Sequence, residues 1–261
     1  MNIFELTYPG TWLELEDREA AFQIQSLLNG LETALSDAAM SLNFFESARQ
    51  NSEQNIPDPE EWEKESQRRQ EIMASLRQKL NIDRFDTERF EEVRFLSEVE
   101  LKREKWKEGQ LPKDYQNRVV FIHAKSFLFA MDRIEKFLTA IAEKEKVPDK
   151  VSDIKDEFEK NFPDLRQVRN SSAHIEERVQ KIGPYGKEID PKPISNSMVN
   201  APKGGVMIHE SLLGVKFGST MADGHYGEVE VTFNSVKIAR NCVQKVIDSF
   251  EWKGAKSHYP R

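Results

Sequence analysis

The chain has 261 residues, 38% apolar and 32% charged, a composition typical of a charge-rich globular protein long enough to bury a substantial core. The net charge of −7 argues against non-specific nucleic-acid binding through overall charge, but it leaves room for a local basic site. The lone Cys242 excludes an intramolecular disulfide, and no apolar run approaches the roughly 20 residues that span a bilayer. Because the N-terminus also lacks the pattern of a signal peptide, we expect a soluble, cytoplasmic protein without membrane contact.

Apolar residues recur at intervals of three and four along most of the chain, which is the spacing of amphipathic helices. This pattern predicts core helices near 16–50, 113–146, 163–181 and 233–252. The stripe is most continuous from Val120 to Ile141. The charged stretch at about 58–110 is expected to form two further helices, with Asp58 as the first N-cap and Pro59 at the first helical position.

After a loop rich in proline and glycine, the apolar period changes from helical to alternating. Short strands are expected at 206–208, 215–217 and 228–231, with a turn at 222–224. The predicted fold class is therefore mainly α, a helical bundle with a small antiparallel β-hairpin or sheet appendage. We interpret residues 1–261 as a single domain, in which the stretch at about 58–110 is a charged helical insertion.

The densest group of reactive residue types lies in the third predicted core helix, where Arg169, Asn170 and His174 fall within six residues. Arginine offers a forked donor to phosphate oxygens, and histidine carries a proton that is mobile near neutral pH. At about 100° per residue, Arg166, Asn170, His174 and Arg178 form a stripe that points away from the core, with Arg169 near its border. Such a stripe is either a solvated helix face or an anion pocket.

Other candidate groups have less specific patterns. Metal-ligand spacing and a phosphate-binding glycine loop are both lacking, so no metal and no cofactor are expected. Asp132 and Glu135, on the preceding helix, are either surface charges or partners of the Arg–His helix. His123 is expected to pack beside the apolar stripe, and Cys242 is expected in the core.

The run from Arg169 to His174, Arg-Asn-x-x-Ala-His, in a helical chain and after a long apolar helix, resembles the HEPN superfamily. The hallmark of that superfamily is arginine, a polar residue, a short spacer and histidine. The resemblance covers about 113–252 and includes the hairpin and closing helix that some bacterial members carry. It implies a homodimer in which two motif helices meet and, in many members, a metal-independent endoribonuclease. An acidic residue on the preceding helix is a frequent partner of the motif.

The resemblance also implies a role for each residue. His174 would move a proton as the ribose 2′-OH attacks phosphorus, and Arg169 would stabilise charge on the phosphoryl oxygens. Asn170 would orient the histidine or bind a phosphate oxygen. Arg166 and Arg178 are expected to bind substrate because of their place on the stripe, where the arginines form a pocket suited to an anion. The products would be a 2′,3′-cyclic phosphate and a 5′-hydroxyl.

The implied partners are RNA or a nucleotide, a second copy of the chain and, if the protein is a toxin or defence effector, an antitoxin or another protein. One alternative stays open, because some members of the superfamily do not cut RNA. In this alternative the chain is a non-catalytic HEPN-fold module that binds a nucleotide or a protein. The acidic net charge and the charged insertion favour it.

Overall fold

A computed structural model gives the fold of residues 1–54, 59–82 and 87–260. The contacts divide the chain into two compact units, residues 1–46 with 121–261 and residues 47–120. The charged insertion expected at about 58–110 lies within the second unit. That the chain forms a single domain stays a prediction, and Asp58, the expected cap, lies outside the described residues.

Eight α-helices account for most of the described residues, which confirms the mainly α class with a β appendage. They are α1 Arg18–Gln54, α2 Pro59–Leu80, α3 Thr87–Lys107, α4 Lys113–Ala142, α5 Lys150–Asn161, α6 Leu165–Ala173, α7 Ile175–Val179 and α8 Phe233–Ile247. No helix in these ranges is long and apolar enough to cross a membrane.

Nine short strands form small antiparallel sheets among the described residues. They are β1 Leu6–Tyr8, β2 Trp12–Leu13, β3 Ile194–Ser195, β4 Asn200–Ala201, β5 Ser211–Leu213, β6 Lys216–Thr220, β7 Tyr226–Glu230, β8 Trp252–Lys253 and β9 Ser257–Tyr259. Strands β5, β6 and β7 make a three-stranded sheet, and β3 pairs with β4. Strand β1 pairs with β9 and β2 with β8, so two ribbons join distant parts of the chain.

The core of the first unit follows the apolar stripes of its helices. The stripe of α4, including Ala124, Phe127 and Met131, is completely buried. In α1, Gly30 lies where a Cβ would collide with the Phe137 ring of α4, so glycine permits the close approach of these helices. Cys242 is buried in α8 as expected, and burial raises the pKa of its thiol to about 11.

The second unit contains α2 and α3, which run antiparallel and are held by opposite charges. Arg68 donates from Nε and Nη2 to the two carboxylate oxygens of Glu104, at 3.0 and 2.9 Å, and Lys105 pairs with Glu65. The side chains of Arg68 and Glu104 are 50% and 32% exposed. Water therefore reaches the Arg68–Glu104 pair.

The strand expected at 206–208 is not formed. The Ile208 N–H donates to the Thr220 hydroxyl at 2.9 Å, and its carbonyl accepts from the Thr220 N–H at 2.8 Å. The Thr220 hydroxyl thus takes the place of a backbone carbonyl as acceptor. Regular backbone pairing with β6 begins only at Ser211. The turn at 222–224 is confirmed, with Gly224 at a φ of +88°.

Candidate functional site

Helix α6 carries Arg169 and Asn170 on a rigid support, because one side of it is packed against strands. Leu165 and Val168 are fully buried, and α6 contacts both β6 and β7. A Cβ at Gly227 of β7 would crowd Val168, so glycine allows the strand to approach the helix. The predicted β appendage is therefore the platform on which the motif helix rests.

Arg169 is held from three directions. Its Nε lies 3.1 Å from Oδ2 of Asp132, its guanidinium carbon lies 4.9 Å from the centre of the Phe129 ring, and its Nη1 donates to the Asn170 side chain at 3.1 Å. The contact with Asp132 is an ion pair without an aligned hydrogen bond, and both Nε of Arg169 and Oδ1 of Asp132 are buried without a hydrogen-bond partner among the described residues. The Arg169 side chain still keeps 23% of its surface exposed.

Two carboxylates of α4 face the arginines of α6. Asp132 is 1% exposed and also pairs with Lys136 at 2.6 Å, while Glu135 pairs with Arg166 at 2.5 Å. Burial raises the pKa of Glu135 above its ordinary 4.5, a shift that the Arg166 charge opposes. The sequence left two interpretations of Asp132 and Glu135 open. The interpretation that they are partners of the Arg–His helix is confirmed, and the interpretation that they are surface charges is wrong.

The continuous helix expected over 163–181 is interrupted at His174, so that prediction is wrong. With φ −119° and ψ 42°, His174 ends α6 and precedes α7. The imidazole is exposed. One ligand atom from each of His174, Glu176 and Glu177 lies within 4.8 Å of the others, a grouping that no metal-binding sequence pattern indicated.

The break changes which side chains of α7 face the core. Arg178, expected on the exposed stripe, is 2% exposed, whereas the apolar Val179 beside it is 63% exposed. The Arg178 Nη1 donates to the Ile182 carbonyl at 2.6 Å and Nε to the Ser171 hydroxyl at 3.4 Å. Internal acceptors and the long apolar stem make this burial favourable. Arg178 is therefore enclosed and is not available to bind a substrate in this conformation.

The structure adds residues that the sequence did not single out. The carboxylate of Glu210 accepts from the Ser172 hydroxyl at 2.8 Å and pairs with Lys125. On α4 the side chains that contact α6 or Glu210 are spaced by four, three and three positions: Lys125, Phe129, Asp132 and Glu135. Charged residues at helical spacing beside the apolar stripe of this helix were the signal available in the sequence.

The expected site is thus assembled only in part. Arg166, Arg169 and Asn170 lie together against α4, His174 is exposed at the end of α6, and Arg178 is inside. No family model matches the sequence, and the searches of curated proteins and of solved structures found no match either.

Proposed function

We propose that the protein is a metal-independent endoribonuclease of the HEPN type whose active site lies at the end of α6. The observation that carries this proposal is the fixed and accessible guanidinium of Arg169, which an anion and an aromatic ring hold from the inside. A donor that is already oriented needs no reorganisation when charge develops on a phosphoryl oxygen. The exposed imidazole of His174 follows in the same segment and supplies a nitrogen that can accept or return a proton.

In the proposed reaction an imidazole nitrogen of His174 takes the proton from a ribose 2′-OH as that oxygen attacks the adjacent phosphorus. The bond from phosphorus to the 5′-oxygen breaks, and the leaving oxygen takes up a proton. The products are a 2′,3′-cyclic phosphate and a 5′-hydroxyl. Arg169 stabilises the charge on the non-bridging oxygens, while Asn170, which accepts from Arg169, positions the guanidinium.

Base and acid in this reaction act on oxygens at opposite sides of the phosphorus, and one protomer offers a single motif histidine. We therefore include a symmetric homodimer in the proposal, with His174 of a second copy as the other proton carrier. A toxin or defence effector, restrained by an antitoxin or another protein, is the biological setting that such an activity fits. Light scattering at micromolar concentration tests the dimer, and a monomer would contradict it.

The activity is tested by incubating purified protein with mixed RNA in EDTA and mapping the product ends. His174→Ala should lower the cleavage rate at least about 100-fold, and Arg169→Lys should cost about as much because the forked geometry is lost. A 2′-deoxyribose at the cut site should block cleavage. His225→Ala is the matched control, since His225 is an exposed histidine on the β6–β7 turn. A His174→Ala protein that cuts as fast as wild type, or cleavage that requires Mg²⁺, would contradict the mechanism.

The second candidate is a non-catalytic HEPN-fold nucleotide-binding or protein-interaction module, and one observation favours it. Arg166 and Arg169 each pair with a buried carboxylate of α4, so their charges are largely compensated and act as a brace between the helices. If the protein is such a module, RNA remains intact at any protein concentration. The His174→Ala protein then still binds a nucleotide or a protein partner.

A further inference from the structure

A surface groove with a volume of ≈340 Å³ lies between α1 and α4, within the first unit. Its lining is rich in flat or polarisable side chains, namely Met40 and Phe44 from α1 and His123 and Phe129 from α4. Asp37 and Arg133 also line it and pair with each other at 2.6 Å. This volume is in the range of small-ligand sites.

The aromatic side chains of the groove offer a stacking surface. The rings of Phe44 and His123 are stacked, with centroids 5.3 Å apart and planes inclined by 28°. Phe44 is 49% exposed and Met40 is 41% exposed, although both are apolar. Burial lowers the pKa of His123, which favours the uncharged ring. An apolar, aromatic surface of this kind accepts the face of a planar heterocycle.

The groove and the α6 site share one residue. Phe129 lines the groove and also lies beneath the guanidinium of Arg169. The guanidinium of Arg169 therefore lies beside the groove lining, an arrangement that suits a ligand with a flat apolar part and an anionic part. The exposed Asp37–Arg133 pair adds a carboxylate and a guanidinium for the polar edge of such a ligand, and a solvated pair of this kind is easily exchanged.

We propose that this groove is a subsite for an unpaired nucleobase of the substrate, next to a phosphate that lies at Arg169. The inference rests on the proposed nuclease function and adds a subsite that selects unstacked bases. A base in a duplex has both faces covered by its neighbours, whereas an unpaired base can stack on protein side chains. Recognition through stacking tolerates all four bases, and we therefore expect weak sequence preference.

The test uses the full-length protein and a ten-nucleotide single-stranded DNA, which resists cleavage because it lacks the 2′-OH. One strand carries 2-aminopurine at its centre and a matched strand carries an abasic site there. The base-bearing strand should bind at least about tenfold tighter than the abasic strand, with quenching of 2-aminopurine fluorescence. Phe44→Ala and His123→Ala should remove this difference. Phe22→Ala, at a 75% exposed position of α1 outside the groove lining, is the matched control and should leave the difference unchanged.

Equal binding of the two strands, or an equal effect of the Phe22 and Phe44 substitutions, overturns the inference. A second outcome also overturns the inference. If wild type shows no base-dependent binding and light scattering shows that Phe44→Ala turns a dimer into a monomer, a second copy of the chain covers the groove. The RNA cleavage assay separates this outcome from failure of the nuclease proposal. RNA cleavage without base-dependent binding refutes only the proposal that the groove binds a base. Base-dependent binding without RNA cleavage refutes only the proposal that the protein is a nuclease.

Discussion

Two regions of this protein contain the same ion-pairing residue types in different environments. In the α2–α3 pair, Arg68 binds Glu71 and Glu104 at 2.7 and 2.9 Å on an open surface. Beneath α6, the acceptors Asp132 and Glu135 are 1% and 6% exposed. Water and salt screen the first set, whereas loss of a partner in the second leaves a charge without compensation. A high content of charged residues therefore does not locate a functional site. Whether the charged side chains are buried is a better indication of where such a site lies.

The strongest test of this contrast is Arg178→Ala. The substitution leaves the Ile182 carbonyl without its 2.6 Å donor and opens a cavity where a 2% exposed side chain was. We expect the free energy of unfolding in urea to fall by about 3 kcal/mol. Arg68→Ala, which removes an arginine with solvated partners, is the control and should leave the urea midpoint unchanged. Equal effects of the two substitutions would contradict the comparison.

Asp132→Ala should have the next largest effect, about 2 kcal/mol of unfolding free energy, because Arg169 and Lys136 lose a shared buried anion. It should also lower RNA cleavage, since the guanidinium of Arg169 is then no longer held. Asp132→Asn retains the shape and should recover part of the stability but little of the activity. A stable Asp132→Ala protein with full activity would show that Asp132 does not position Arg169.

A smaller, pH-dependent effect is expected from Glu135. Because burial raises its pKa in the folded protein, the folded state holds this proton at a pH where the unfolded chain has released it. The contribution of Glu135 to stability is therefore greatest below about 4.5, its ordinary pKa, and decreases as the pH rises through the folded value. In urea unfolding measured from pH 4 to pH 8, the stability of Glu135→Gln relative to wild type should therefore rise with pH. A fall in this relative stability over the same range would contradict the assigned direction.

The smallest effect is expected in the second unit. Glu104→Gln removes the carboxylate that Arg68 binds through two nitrogens, but these groups are already solvated. Thermal unfolding midpoints in 0.1 M and 1 M NaCl should match those of wild type. A large salt-dependent change would show that this pair is less accessible to water than its exposure indicates.

The helices were predictable because their burial follows a local period of three and four, as in the stripe from Val120 to Ile141. The break at His174 was not predictable from that period. The break accompanies the burial of Arg178, whose acceptor Ile182 lies beyond the predicted helix. The contact of Arg169 with Asp132 joins residues 37 positions apart, and only the packing of α6 on α4 brings them together. The motif and the candidate acidic partners of its helix were therefore visible in the sequence, while the contact between Arg169 and Asp132 was not.

The two ribbons between residues 6–13 and 252–259 have a consequence for the order of folding. Leu6 pairs with Tyr259, so this contact cannot form on the ribosome until the whole intervening chain has been synthesised. Closing a disordered loop of that length costs about 5 kcal/mol in chain entropy. If α1 and α4 associate first, as the approach of Gly30 to Phe137 permits, the remaining loops are shorter and the ribbons close at lower cost. Strands β1 and β2 are thus expected to be among the last elements to acquire protection from hydrogen exchange during refolding.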